Sequence, residues 1–241
     1  MELNKIYNKD CLETMAKMTD DFVDYSLTSP PYNLKESSKK VSGFKYIEYK
    51  DDLTSEQYFE NQKQVIEELL RVTKYHVFYN IQMLTGNKFA LHRLIGYFYK
   101  YIKEVIIWDK GFGQPAISEK VFNSSFEYII IFSSKDPNKR YFKDASFDRG
   151  TQSNIFRIKN KHSNPFSDKH KAIFPLDIPR YFMKAFGKDN DIWYDPYMGT
   201  GTTAVAATEE KKQFIGSEIF EEYCELANNR LKPYLIQTKL F

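Results

Sequence analysis

The sequence predicts an α/β fold, doubly wound about a mainly parallel sheet, and three observations carry that expectation. Short runs of strand-forming residues alternate with stretches of helical apolar spacing. A loop with two glycines, Asp195-Pro196-Tyr197-Met198-Gly199-Thr200-Gly201, lies between one such run and a helical stretch. An acidic residue, Glu218, follows the next run, 23 residues after Asp195, as in a nucleoside-binding βαβ unit. At 241 residues the chain can bury a sizeable core, and it is read as one domain over 1–241 with a modest insertion.

Val23 to Thr28 alternates and is rich in strand formers, then meets Ser29-Pro30-Pro31, which no sheet can continue, so a strand ends there on a rigid turn. Thr54 and Gln57 have the spacing of a capping box. Phe59, Val65, Ile66, Leu69 and Leu70 follow at helical intervals, which predicts a helix from about Thr54 to Arg71. His76 to Ile81, Val105 to Trp108 and Tyr128 to Phe132 read as buried strands. Ser133 to Asn164 has no sustained period and reads as irregular structure inserted after them. Leu176 to Phe186 is helical, followed by a strand at Ile192 to Tyr194, the glycine loop, a helix, a strand from Gln213 to Gly216 and a last helix to about Leu231.

Composition narrows the class. Cys11 and Cys224 lie in no metal-ligand spacing and are too few for a disulfide framework, which fits a reducing compartment. His76, His92, His162 and His170 have no partner at ligand spacing, so no metal is implied. The chain opens on no apolar signal core, and its most apolar stretch, Tyr128 to Phe132, is far short of the roughly 20 residues that span a bilayer. A cytoplasmic protein with no membrane partner is expected. The net charge of +3 says little, but ten Lys or Arg against four Asp fall between Ser133 and Lys171. Tyr141, Phe142, Phe147, Phe156 and Phe166 interleave with them, a mixture suited to phosphate contact and base packing, and equally the composition of a solvated loop. Lys139, Arg140, Lys143 and Arg149 are candidate nucleic-acid contacts there, as are Lys39 and Lys40 in the lysine-bearing loop Lys35 to Lys50.

In the glycine loop, Gly199 and Gly201 allow a ligand to approach the backbone, and Glu218 can accept from both hydroxyls of a ribose. A dinucleotide loop would carry a third glycine where Ala204 stands, which weakens a nicotinamide reading. Ser29-Pro30-Pro31-Tyr32 is the more specific signal. The prolines fix the backbone so that the Ser29 hydroxyl and Pro30 carbonyl converge, and Tyr32 offers a flat face beside them. Such a pocket suits a flat base bearing an NH₂. Its lone pair is delocalised into the ring, and two acceptors on the amino hydrogens would stabilise the positive charge that develops when the nitrogen attacks a methyl group. Inside a duplex that nitrogen is inaccessible, so the nucleotide must be flipped out, with Tyr32 offsetting part of the unstacking cost.

Together these motifs resemble the amino-methyltransferases of DNA, in particular the β group, in which the catalytic motif precedes the cofactor motif. Ser29-Pro30-Pro31-Tyr32 resembles that family's (Asp/Asn/Ser)-Pro-Pro-(Tyr/Phe), and Asp195 to Gly201 its Asp-Pro-Phe-x-Gly-x-Gly loop, with Tyr197 for Phe. His170-Lys171-Ala172-Ile173-Phe174-Pro175 is similar to the family's segment beside the methionine portion of the cofactor. The resemblance implies a Rossmann-like methyltransferase fold, S-adenosyl-L-methionine as cofactor and double-stranded DNA as substrate. It implies Asp10 as the acid on the cofactor's adenine amino group, Glu218 on its ribose, and the remaining contacts from Asp195, Pro196, Tyr197, Gly199, Gly201, Thr202, His170, Phe174 and Pro175. It further implies target recognition by about 110–169, and a homodimer or a cognate restriction enzyme as partners to test for. Ser29 after Thr28 resembles cytosine-N4 enzymes slightly more than adenine-N6 enzymes, which more often carry Asp or Asn. The methyltransferases of glutamine side chains have an Asn-Pro-Pro-Tyr motif after the cofactor loop, the reverse of the order here. A nucleotide-cofactor oxidoreductase would leave Ser29 to Tyr32 unexplained, and a catalytically silent DNA-binding protein would have no use for intact motifs.

Overall fold

In the computed structural model the described residues are 1–34, 52–111, 119–135, 139–158 and 175–237. Along them come β1 (Lys5–Asn8), α1 (Cys11–Met15), β2 (Val23–Thr28), α2 (Ser55–Val72), β3 (Thr73–Ile81), α3 (Lys88–Tyr97) and a 3-10 turn (Tyr99–Tyr101). Then follow β4 (Ile102–Asp109), β5 (Phe126–Phe132), β6 (Ile155–Arg157), α4 (Asp177–Ala185), β7 (Ile192–Asp195), α5 (Thr202–Glu209), β8 (Gln213–Glu218) and α6 (Glu221–Gln237). The strands form one sheet in the order β1-β8-β7-β2-β3-β5-β4-β6. β5 is antiparallel to β3 and β4, and every other pairing is parallel.

Side-chain alternation divides the core between two faces. Val23, Val77, Tyr79, Ile130, Tyr194 and Ile215 point to the face covered by α1, α2 and α3, where Met15, Leu69 and Leu91 meet them. Tyr25, Leu27, Phe78, Ile131, Trp193 and Phe214 point to the other, under α4, α5 and α6. Tyr25 stacks on Trp193 with ring centroids 4.7 Å apart, and Phe78 lies 4.3 Å from Phe182. α2 starts as predicted: the Thr54 hydroxyl accepts from the Gln57 N–H while the Gln57 side chain accepts from the Thr54 N–H.

Five elements differ from the expectation. β1, α1 and α3 occupy stretches that carried no predicted element. Phe156 draws Ile155–Arg157 into a three-residue edge strand by packing on Tyr181 at 4.2 Å and Phe182 at 5.5 Å. The last helix runs past Leu231 to Gln237, with Pro233 inside it. α5 carries the chain from β7 to β8 on one side and α2 carries it from β2 to β3 on the other, so the neighbours β7 and β2 bound a topological switch point. Ligands of open α/β sheets bind in the crevice that such a point opens at the carboxyl ends of the strands.

Candidate active site at the carboxyl edge of the sheet

The chain beyond β7 folds back on its own last strand residue. Asp195 Oδ2 accepts from Thr203 Oγ1 at 2.6 Å and Oδ1 from the Tyr197 N–H at 3.0 Å. Burial pushes the Asp195 carboxyl up to about 6, against the pull of these donors. Pro196 is buried beside it. Gly199 and Gly201 take φ of 53° and 82°, the left-handed region that glycine enters without penalty. Arg230 on α6 braces the loop from behind, donating to Thr202 Oγ1 at 3.0 Å and to the Thr200 carbonyl at 3.3 Å. From the other face Gln62, buried on α2, donates to the Tyr197 hydroxyl at 3.2 Å and accepts from the Tyr79 hydroxyl at 2.8 Å.

Glu218 closes β8. Its Oε2 accepts from the Gly199 N–H and its Oε1 from the Phe220 N–H, both at 2.9 Å. Burial nonetheless raises its carboxyl above the usual range. The neighbouring strand brings Asn8 opposite Glu218, and Asp10 follows, exposed, its Oδ1 capping α1 through the Leu12 N–H at 2.8 Å. A carboxylate offers about four lone-pair sites, and the two bonds to Glu218 leave half of them for hydroxyl donors. The residues therefore fit the adenosine half of S-adenosylmethionine. Pro175 stands before α4, its carbonyl accepting from the Ile178 N–H at 3.1 Å, while His170 and Phe174 lie outside the described residues.

Ser29-Pro30-Pro31-Tyr32 leaves β2, one strand from Asp195, and turns across the ends of β3 and β5. The Pro31 carbonyl accepts from the Tyr58 hydroxyl at 2.7 Å, which holds the turn to α2. Asn33, at φ 57°, donates to the carbonyls of Leu53 and Gly86 at 2.9 and 2.8 Å. Ser29 Oγ and Tyr32 Oη lie 2.9 Å apart, and both are within reach of Asn80 Nδ2 on β3. Tyr32 Oη donates to Glu127 Oε2 on β5 at 2.8 Å, and Lys110 Nζ donates to Glu127 Oε1 at 3.2 Å. The sequence reading named none of Asn80, Lys110, Glu127, Gln62 or Arg230. A signal was present for one of them: Asn80 interrupts the apolar run His76 to Ile81, and a buried polar group requires a partner.

The basic segment divides between the two ends of the sheet. Asp144 accepts from the Tyr25 hydroxyl at 2.6 Å and lies 2.9 Å from His76 Nε2, Lys135 pairs with Asp21 at 2.8 Å, and Arg140 pairs with Glu104. These partners lie in the amino-terminal halves of β2, β3 and β4 or just before them. The structure thus sets Lys139, Arg140 and Lys143 away from the Ser29 turn. Arg149 is exposed on a turn in which the Thr151 N–H donates to the Asp148 carbonyl at 3.2 Å. Arg157, at the end of β6, is on the carboxyl edge beside Asp109. Lys39 and Lys40 lie outside the described residues.

A two-glycine loop at the end of one strand and a Pro-Pro turn at the end of the next share one sheet edge, the crevice in which an α/β protein of this topology binds a nucleoside-type ligand. A family model described as DNA methylase matches residues 23–229, and the chain belongs to that family, the N6-adenine and N4-cytosine DNA amino-methyltransferases that use S-adenosylmethionine. It is 27% identical to the orphan methyltransferase M.BamHII of Bacillus amyloliquefaciens, over 91% of this chain and 92% of that protein. It is 27% identical to the Type II methyltransferase M.BglII of Bacillus subtilis, over 93% of this chain and 68% of that one. Among solved structures, the cytosine-N4-specific PvuII DNA methyltransferase shares the fold at a TM-score of 0.74 and 18% identity, over 94% of this chain and 85% of that chain. A Thermus thermophilus protein solved in complex with S-adenosyl-L-methionine matches at a TM-score of 0.64 and 19% identity, over 95% of each chain. The oxidoreductase and silent-binder readings find no support beside these relatives. No helix among the described residues is long and apolar enough to cross a membrane.

Proposed function

We propose that the chain methylates the N4 amino group of a cytosine flipped out of double-stranded DNA, with Ser29 Oγ and the Pro30 carbonyl as the acceptors of the amino hydrogens. The observation that carries this is the position of the Ser29 turn and the Asp195 to Gly201 loop at the ends of the adjacent strands β2 and β7. S-adenosylmethionine, when bound, supplies an electrophilic methyl group. By the family resemblance, Glu218 would hold its ribose hydroxyls and Asp10 its adenine amino group, Gly199 and Gly201 would let the backbone approach it, and Thr202, His170, Phe174 and Pro175 would supply further contacts. Ser29 and Pro30 would accept hydrogen bonds from the amino hydrogens as positive charge builds on nitrogen, and Tyr32 would stack on the base. The nitrogen–methyl bond forms as the sulfur–methyl bond breaks to leave a neutral thioether, and the methylated nitrogen then gives its surplus proton to water. Cytosine is preferred to adenine on Thr28-Ser29, and a cytosine-N4-specific enzyme shares the fold.

Within the same reading, about 110–169 recognises the target sequence. Type II relatives support a cognate restriction enzyme as partner, the orphan relative supports a solitary enzyme, and sedimentation on DNA reads whether two copies bind together. The enzyme works in the cytoplasm, on nucleoid DNA. Incubation with methyl-labelled S-adenosylmethionine, duplex DNA and a peptide-release factor tests the substrate class. Label on DNA is expected, and label on the protein alone would overturn the reading.

A further inference from the structure

Glu127 is a buried acid with three partners and no place in the reaction as described so far. It is the second residue of β5, opposite Trp108 of β4, and its side chain is only 9% exposed. Oε2 accepts from Tyr32 Oη and from Asn80 Nδ2, each at 2.8 Å, and Oε1 faces Lys110 Nζ at 3.2 Å. Tyr32 Oη is in turn 2.7 Å from Asn80 Nδ2 and 2.9 Å from Ser29 Oγ.

Counting hydrogens gives this cluster a direction. As the carboxylate half of an ion pair, Glu127 only accepts, so the one proton of the Tyr32 hydroxyl points to it. The Asn80 amide cannot be turned round, because its oxygen would then face that carboxylate. Asn80 Nδ2 has two hydrogens for three acceptors, and the two short contacts, to Tyr32 and Glu127, outrank the 3.3 Å contact to Ser29. Tyr32 Oη has thus spent its proton, and in its contact with Ser29 it can only accept. The Ser29 hydroxyl is therefore the donor, and its lone pairs face away from Tyr32.

We infer that Glu127 is a positioning residue for methyl transfer: through Tyr32 it fixes the Ser29 hydroxyl as a donor, so that the serine oxygen meets the substrate only as an acceptor. This rests on the proposed role of Ser29. A free serine hydroxyl rotates and can turn its hydrogen toward the substrate nitrogen, which opposes the charge that forms there. The chain Ser29–Tyr32–Glu127 prevents that rotation, and its charged end polarises both hydroxyls so that Ser29 accepts more strongly.

The test is single-turnover methylation of duplex DNA by the full chain with Ser29→Ala, Tyr32→Phe, Glu127→Ala, Glu127→Gln and the Ser29→Ala/Glu127→Ala double variant. Glu127→Ala and Tyr32→Phe should each slow the step about tenfold or more, with KM for DNA and affinity for S-adenosylmethionine unchanged. Glu127→Gln should recover part of the rate, because its side-chain oxygen still accepts from Tyr32, whereas a residue needed only to neutralise Lys110 gives no such recovery. The double variant should be no slower than Ser29→Ala. A wild-type rate in Glu127→Ala, or losses that multiply in the double variant, would overturn the inference while leaving the role of Ser29 standing. If Glu127→Ala does not fold, a wild-type rate in Tyr32→Phe overturns it instead. A wild-type rate in Ser29→Ala removes both the proposed role of Ser29 and this inference.

Discussion

Glu218 accepts the Gly199 backbone N–H at 2.9 Å, so the acid that ends β8 also holds the glycine loop that follows β7. Losing a charged acceptor costs about 1.5–3 kcal/mol. Glu218→Ala should therefore weaken S-adenosylmethionine binding about tenfold or more by calorimetry. Because burial raises the Glu218 carboxyl, the wild-type affinity should also fall with decreasing pH at higher pH than an ordinary glutamate would give, as protonation replaces an acceptor with a donor. Unchanged affinity in a folded Glu218→Ala protein would remove the residue from the cofactor site.

Asp195 makes a pH prediction of its own. Its carboxyl rises from the ordinary 3.8 to about 6 in the folded chain. Between those values the native state holds more protons than the unfolded state, so stability declines as pH rises through the window. The loss is complete above it and is about 3 kcal/mol. Asp195→Asn keeps an acceptor for the Tyr197 N–H and no longer ionises, so the cofactor-free variant should melt higher than wild type at pH 7 and not below about pH 4. An equal gain at both pH values contradicts this origin.

Gly201 sits at φ 82°, and a Cβ there would lie 2.9 Å from the Ala227 Cβ and 3.2 Å from its Cα on α6. Gly201→Ala strains the backbone and pushes α6 from α5, which should lower stability by about 1–3 kcal/mol and weaken cofactor binding as well. Thermal melts that match wild type would show that the helix pair yields freely.

Much of the fold was legible because periodicity and burial agreed. α2 carried a capping box and a helical stripe, and β2 ended on two prolines. β1 was not legible: of its four residues only Ile6 is buried, and it is recruited by pairing with β8, a contact across more than two hundred positions of chain. α3 lacks a side-chain cap, contains Gly96 and exposes Phe89 and Tyr97, so its stripe is blurred. The motifs of the site were visible because each is contiguous in sequence. The acid behind Tyr32 was not, since Glu127 reaches it from 95 residues away across an antiparallel strand.

The placement of the basic segment changes which cations should govern DNA binding. Arg157, with a side chain 77% exposed at the carboxyl edge, should contribute one phosphate contact, and Arg157→Ala should shallow the log–log salt dependence of binding by roughly 0.9. Lys139→Ala with Lys143→Ala, near the amino-terminal end of the strands, should leave the slope unchanged. The opposite pattern would mean that DNA approaches the other end of the sheet.

Mass spectrometry of nucleosides from DNA treated with the protein and S-adenosylmethionine bears most directly on the chemistry assigned to the Ser29 turn. N4-methylcytosine is expected, falling sharply with Ser29→Ala while cofactor binding persists, because the lost hydrogen bond matters most as charge builds on nitrogen. N6-methyladenine alone would keep the mechanism and change the base. A 5-methylcytosine product would contradict the mechanism itself, since carbon methylation does not use acceptors for an amino group.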